Sequence, residues 1–123
     1  MKRVVIVHRW EGNPKHGWYP WAKKQLEKAG YKVLIPKMPH TEAPVMHEWI
    51  AALMKTVGKP NTQTHFIGHS IGCQTILRYI SMLPKKEKVG KVFWSPPGPR
   101  QNGSKKKPNI MRNRGFKRLS IGA

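Results

Sequence analysis

Short apolar runs alternate with longer segments of helical periodicity from Met1 to Trp94. The apolar runs are short and rich in β-branched or aromatic residues, and they read RVVIVH, YKVLIP, THFIG and KVGKVFW. Runs of this kind are typical of strands covered by helices on both faces of a parallel sheet. They predict a sheet of about four strands.

Three segments between these runs have apolar residues at helical spacing. They read WYPWAKKQLEKAG, MPHTEAPVMHEWIAALMKTVG and SIGCQTILRYISML. Their apolar stripes are Trp18, Trp21 or Ala22, Leu26 and Ala29 in the first, Val45, Trp49, Leu53 and Val57 in the second, and Ile76, Ile80 and Leu83 in the third. The regular alternation of strand and helix predicts an α/β fold, an open parallel sheet with right-handed crossover helices.

Basic residues dominate the charge of the chain. It contains 24 Lys and Arg and 5 acidic residues, for a formal net charge of +19. A surface of this kind attracts polyanions. The chain has no zinc-finger spacing, RNA-recognition signature or basic zipper, so charge alone predicts only non-specific polyanion binding.

Residues 95–123 differ in character from the rest of the chain. They contain eight basic and no acidic residues, are rich in Pro, Gly and Asn, and lack both helical and strand periodicity. This composition predicts a domain of residues 1–94 followed by a solvated, disordered tail of residues 95–123. A polyanion-binding arm is the alternative interpretation of the tail.

The chain has no apolar run near the roughly 18 residues of a membrane span. The start, MKRVVIVHRW, has only four consecutive aliphatic residues, too few for a secretory signal. The single cysteine, Cys73, has no partner for an internal disulfide, and its position predicts a small buried apolar residue. We therefore expect a cytoplasmic protein.

A G-x-S-x-G motif lies between the third predicted strand and the helix that follows it. It consists of Gly68, His69, Ser70, Ile71 and Gly72. In this context the motif predicts a sharp turn, a nucleophile elbow, that presents the serine hydroxyl, with glycines that let strand and helix approach closely. Capping of the helix by Ser70 is the alternative interpretation.

An oxyanion hole beside Ser70 needs two amide donors. The Ile71 amide, at the helix N-terminus, is the first candidate. The loop after the first strand supplies the second, from the amide of Arg9 or Trp10.

Residues 2–94 resemble the small single-domain α/β-hydrolase family of retinoblastoma-binding protein 9 and the bacterial YdeN-like serine hydrolases. The motifs that carry the resemblance are H-x-W-x-G-N-P, P-x-M-P-x-T-E and G-H-S-I-G-C. The resemblance implies a cytoplasmic Ser-His-Asp hydrolase of small-molecule esters or amides, with no metal and no cofactor. It also implies that Ser70 is the nucleophile and that Ile71 and Trp10 supply the oxyanion-hole amides.

The chain departs from the family pattern at several positions. Arg9 stands where the family usually has glycine, and Lys37 where it usually has aspartate. Triads of this fold run serine, acid, histidine along the chain, yet after Ser70 there is no Asp, no His and one carboxylate, Glu87. His8 is a candidate base, with a scaffold role as its alternative.

The remaining histidines lack the spacing of metal ligands, so no metal site is predicted; they are His16, His40, His47 and His65. The ring of His69 is expected to point away from the nucleophile.

The incomplete triad predicts weak activity or none. We interpret the chain as a hydrolase truncated or frame-shifted after about residue 94, lacking the C-terminal strands of the family. The uncovered edge of the fourth strand then predicts self-association. The second hypothesis is a non-catalytic α/β binding module that recognises a protein or a polyanion through its basic surface.

Overall fold

The computed structural model describes residues 2–10, 12–15, 17–95 and 117–118. The elements along the chain are β1 (Arg3–Val7), α1 (Tyr19–Lys28), β2 (Lys32–Leu34), α2 (Met46–Val57), β3 (Thr64–His69), α3 (Ile71–Ser81), β4 (Val92–Ser95) and β5 (Lys117–Arg118). The four predicted strands and three predicted helices are present in the predicted order, which confirms the α/β class.

The strands form one sheet in the order β2-β1-β3-β4-β5. The pairs β1–β2, β1–β3 and β3–β4 are parallel. Strand β3 is therefore central, with β1 on one side and β4 on the other. Because parallel strands end at the same edge of a sheet, the loop after β1 and the turn after β3 lie at one edge.

Strand β5 differs from the prediction. The sequence predicts no strand beyond Trp94, but Lys117 pairs antiparallel with Trp94 and Arg118 with Phe93. These two tail residues therefore belong to the sheet, and the β4 edge is covered there rather than open. Two basic residues have no apolar pattern, so backbone pairing of this kind leaves no signal in the sequence. The rest of the predicted tail, residues 96–116 and 119–123, lies outside the described residues.

Helices cover both faces of the sheet, and the side chains of β1 alternate between them. Val5 and Val7 face α2 and α3, while Val4 and Ile6 face α1. This double coverage is why β1 reads as an uninterrupted apolar run. Most predicted stripe residues are buried, namely Ala22, Leu26, Trp49, Leu53, Val57 and Ile76.

Three stripe residues are placed differently from the prediction. Ala29 is exposed because α1 ends at Lys28 and Ala29 is its C-cap. Val45 is exposed because it precedes α2 as its N-cap, with an extended backbone. Trp18 lies at the N-cap of α1 and is half-buried, while Tyr19 beside it is only 2% exposed. Among the described residues, no helix is long and apolar enough to cross a membrane.

Candidate active site

Ser70 occupies the turn between β3 and α3 in a conformation that side chains rarely adopt. Its backbone has φ 57° and ψ −121°. A positive φ at a residue with a Cβ is strained and persists only where the surroundings impose it. The Ser70 side chain makes no capping hydrogen bond to α3. The geometry therefore does not support helix capping as the role of this hydroxyl.

Two glycines flank this turn at points of close backbone contact. A Cβ on Gly68 would lie 2.5 Å from Cα of Cys73, and one on Gly72 would collide with the carbonyl oxygen of Val7. The first turn of α3 thus packs directly on the backbone of β1 and β3. Any side chain at either position would push the helix away from the sheet and move Ser70 with it.

The loop after β1 is held by hydrogen bonds to one carbonyl group. The Arg9 carbonyl lies 3.0 Å from Nδ1 of His8 and accepts a 2.8 Å bond from the Gly12 amide. The Arg9 carbonyl and the Trp10 amide belong to one trans peptide, so they point in opposite directions. Fixing the carbonyl therefore fixes the direction of the Trp10 N–H.

The amide of Arg9 is already used within the fold. It donates a 2.9 Å hydrogen bond to the hydroxyl of Tyr19. For the Trp10 amide, the described residues provide no backbone acceptor. Of the two candidate donors that the sequence leaves open, the geometry therefore favours Trp10.

His8 is fully buried, and both of its ring nitrogens contact backbone groups. The Met38 amide donates to Nε2 at 3.0 Å, so the proton of the neutral ring is on Nδ1, which donates to the Arg9 carbonyl. Burial lowers the pKa of His8. With both nitrogens occupied, His8 has no free lone pair for the Ser70 hydroxyl. The geometry favours the scaffold role over the base.

His69 contacts the α1 side of the sheet. Its Nδ1 lies 2.8 Å from the Tyr19 hydroxyl, and its ring packs at 5.5 Å from that of Trp18. Burial, followed by the charges of Arg9 and His8, lowers the pKa of His69 to about 4. Burial raises the pKa of Tyr19 to about 12. The hydrogen-bonded side chains of Tyr19 and His69 are therefore both neutral near pH 7.

The loop of residues 36–42 is bound to the rest of the site by two indole groups. Trp49 Nε1 donates to the Pro39 carbonyl at 2.8 Å, and Trp10 Nε1 donates to the Glu42 carbonyl at 3.0 Å. Beside this loop lies an open cavity of about 490 Å³, lined by Gly12, Asn13 and residues 37–42. The motifs H-x-W-x-G-N-P and P-x-M-P-x-T-E thus contact one another. Residues of both motifs line this cavity, and we call the two loops the rim of the site.

The structure brings the turn at Ser70 and Ile71 close to the loop that carries Trp10, since a Cβ on Gly72 would lie 3.0 Å from the His8 carbonyl oxygen. Within the described part of the chain, no acid or base forms a hydrogen bond with Ser70. After Ser70 the chain contains one carboxylate, Glu87, and no histidine. No group of three or more metal-ligating side chains is found in the part of the chain that the structure describes. Tyr19 and Met38 are contacts that the sequence does not predict, although Met38 belongs to a motif that carries the resemblance.

A parallel α/β sheet with a strained serine between its central strand and the following helix is the α/β-hydrolase arrangement. The model of the serine hydrolase family matches residues 4–122. The chain belongs to the serine hydrolase family. The match continues past residue 94, where the resemblance was expected to end.

Individual relatives agree with this assignment. YdeN of Bacillus subtilis (strain 168) is 30% identical over 92 residues, which are 75% of this chain and 48% of YdeN. The serine hydrolase RBBP9 of Rattus norvegicus is 32% identical over 80 residues, 63% of this chain and 42% of RBBP9. The crystal structure of the ydeN gene product from B. subtilis has a TM-score of 0.73 and 28% identity, covering 77% of this chain and 51% of that chain. The chain thus spans about half the length of these relatives.

Proposed function

We propose that the chain hydrolyses small ester or amide substrates by acyl transfer, with Ser70 as the nucleophile. The observation that carries the proposal is the positive φ of Ser70 at the junction of β3 and α3. Strain of this kind concentrates at functional sites, where the surrounding structure imposes it. Cys73 is buried and unpaired, which suits a cytoplasmic location.

The proposed reaction begins with attack of Ser70 Oγ on the substrate carbonyl carbon. A bond forms between Oγ and carbon, the carbonyl electron pair moves to oxygen, and the hydroxyl proton passes to water or another base from solution. The amides of Ile71 and Trp10 donate hydrogen bonds to the oxyanion as it forms. The bond from carbon to the leaving oxygen or nitrogen then breaks, and a proton from solution converts the leaving group to the alcohol or amine. Water hydrolyses the resulting acyl-serine to the acid and the free Ser70 hydroxyl.

No histidine or carboxylate among the described residues forms a hydrogen bond with the Ser70 hydroxyl as its base. His8 has both nitrogens bonded to backbone groups, and His69 contacts Tyr19 through Nδ1. Loss of triad members costs about 10⁴ to 10⁶ in rate and leaves roughly 10³ to 10⁴ over water from the oxyanion hole and substrate binding. We therefore propose slow turnover in this chain.

A fluorophosphonate probe tests the nucleophile directly. Ser70 Oγ would form a bond to phosphorus, fluoride would leave, and the hydroxyl proton would pass to solvent. Ser81 is the matched control because it lies exposed at the end of the same helix, with its hydroxyl donating to the Arg78 carbonyl at 2.7 Å. We expect labelling of the unaltered chain and of Ser81→Ala, and none of Ser70→Ala. Labelling that persists in Ser70→Ala would refute the assignment.

The second candidate function is a non-catalytic module that binds a protein or a polyanion. The net charge of +19 favours it, and lysines on α1 such as Lys23, Lys24 and Lys28 are exposed. Chromatography on heparin separates the two candidates when it is run beside the probe reaction. Retention that weakens steeply with salt, in a chain that the probe does not label, supports the module. Labelling at Ser70 with weak retention supports the hydrolase.

A further inference from the structure

The hydroxyl of Tyr19 lies between the two parts of the proposed oxyanion hole. It accepts a 2.9 Å hydrogen bond from the Arg9 amide and lies 2.8 Å from Nδ1 of His69. Arg9 directly precedes Trp10, and His69 directly precedes Ser70. A single oxygen atom therefore connects the loop after β1 to the turn after β3.

We propose that Tyr19 is a positioning residue that sets the distance between the Trp10 and Ile71 amides of the oxyanion hole. This inference rests on the proposed function, because it assigns Tyr19 a role in the same site. Tyr19 acts through the backbone amide of Arg9 and the imidazole ring of His69.

Burial of Tyr19 and His69 makes it costly to separate the loop after β1 from the turn after β3. Tyr19 is 2% exposed and His69 is 9% exposed. If the loop and the turn moved apart, the part-buried bond to the Arg9 amide would break, and Nδ1 of His69 would lose its partner away from water, which is costly. The hydrogen bonds therefore resist changes in the separation of the two backbone segments.

The Tyr19 ring is itself held on a rigid element. Tyr19 is the first residue of α1, followed by Pro20, whose fixed φ favours the start of a helix. Its ring packs against Trp18 with centroids 4.7 Å apart and belongs to the core cluster beneath α1. Phenylalanine would keep this packing, so Tyr19→Phe removes only the bridging oxygen.

Tyr79 provides the matched control. It is also 2% exposed and lies on α3, yet its hydroxyl has no hydrogen-bond partner among the described residues. Tyr79→Phe therefore makes the same chemical change at a buried tyrosine without breaking a bridge. Any general effect of removing a buried hydroxyl appears in both variants.

The experiment measures the maximal rate of fluorophosphonate labelling and the half-saturating probe concentration separately. Displacement of the oxyanion donors should slow the chemical step without weakening initial binding. We expect Tyr19→Phe to lower the maximal rate about 10- to 100-fold at an unchanged half-saturating concentration, and Tyr79→Phe to leave both values unaltered. An unchanged maximal rate in Tyr19→Phe, or an equal loss in both variants, would overturn the inference.

A second measurement keeps this inference separate from the proposed function. If the unaltered chain is not labelled, the nucleophile assignment fails, and the backbone amide resonances of Trp10 and Ile71 decide the positioning role. Shifts of both resonances in Tyr19→Phe, but not in Tyr79→Phe, support Tyr19 as the connection between the two segments. Unshifted resonances in Tyr19→Phe reject it.

Discussion

The amide of Met38 donates a 3.0 Å hydrogen bond to Nε2 of His8, and this bond determines which ring nitrogen carries the proton. The protonated Nδ1 then donates to the Arg9 carbonyl, whose peptide also contains the Trp10 amide. The loop after β2 therefore controls the direction of an amide in the loop after β1. This is a role for a motif histidine that needs no proton transfer.

Two substitutions at His8 separate its two hydrogen bonds. The amide nitrogen of asparagine matches the position of Nδ1 and would keep the bond to the Arg9 carbonyl, whereas the glutamine oxygen matches Nε2 and would keep the bond from Met38. Each variant loses one hydrogen bond of a buried side chain, so we expect both to lower the free energy of unfolding by about 1–3 kcal/mol. Urea unfolding measures this loss.

Fluorophosphonate labelling should distinguish the same two variants. His8→Asn keeps the orientation of the Trp10 amide and should react faster than His8→Gln, by about 10-fold or more. Faster reaction of His8→Gln would show that labelling depends on the bond from Met38 and not on the bond to the Arg9 carbonyl.

Substitution of Gly72 should destabilise the fold strongly. A Cβ there collides with the Val7 carbonyl oxygen, so α3 must move away from β1, and we expect Gly72→Ala to lose about 3 kcal/mol or more. Gly30→Ala is the comparison, because Gly30 has φ +94° and no atom near its Cβ position. Only backbone strain applies there, at roughly 1–2 kcal/mol. Equal losses in thermal or urea unfolding would contradict the close approach of α3.

Acid should destabilise the protein through His69. Its pKa is about 4 in the folded chain against 6.5 for the free side chain, so the unfolded chain binds the extra proton first. The stability contribution is complete above pH 6.5 and is lost as the pH falls to about 4, on the order of 3 kcal/mol in total. His8 and His65, whose pKa values are also lowered by burial, act in the same direction.

The variant His69→Asn isolates this contribution. Asparagine does not titrate, and its side-chain amide can still contact the Tyr19 hydroxyl. Urea unfolding from pH 7 to pH 4 should therefore show a shallower loss of stability in His69→Asn than in the unaltered chain. If both proteins lose the same stability between pH 7 and pH 4, the destabilising proton binds to a group other than His69.

Added imidazole should accelerate the reaction of Ser70. The described residues bring no free histidine nitrogen to the hydroxyl, so a small base from solution can take the proton. We expect the labelling rate to rise with imidazole concentration. Sodium chloride at matched ionic strength is the control, since the chain carries a net charge of +19. A labelling rate that does not change with imidazole concentration would indicate that the protein already supplies a base to Ser70.

Most of the fold follows from the sequence because each core element has its own apolar signal. The four parallel strands read as short apolar runs, since both sheet faces are covered. The pairing of β5 with β4 has no such signal, because Lys117 and Arg118 are two basic residues without an apolar pattern. Helical periodicity also does not distinguish Trp18 from Tyr19, adjacent aromatic residues of which only Tyr19 is fully buried.

The candidate site could be predicted in part. The G-x-S-x-G motif is local, so it locates the turn at Ser70 and the first amide of α3. The bridge from Tyr19 to His69 joins residues 50 positions apart. No sequence pattern predicts a contact between residues so far apart. The hydrogen bond from the Met38 amide to His8 is equally unpredictable from the sequence. Whether the Arg9 or the Trp10 amide is free depends on these distant hydrogen bonds.

Trp10 stands at the rim of the site with 54% of its surface exposed, while Trp49 is fully buried. Both indoles donate to carbonyls of the same loop, but only that of Trp10 is largely in water. An aromatic ester settling on this rim would shield the indole and move its fluorescence emission to shorter wavelength. The exposed Trp10 indole is therefore an intrinsic optical reporter of contacts made at this rim.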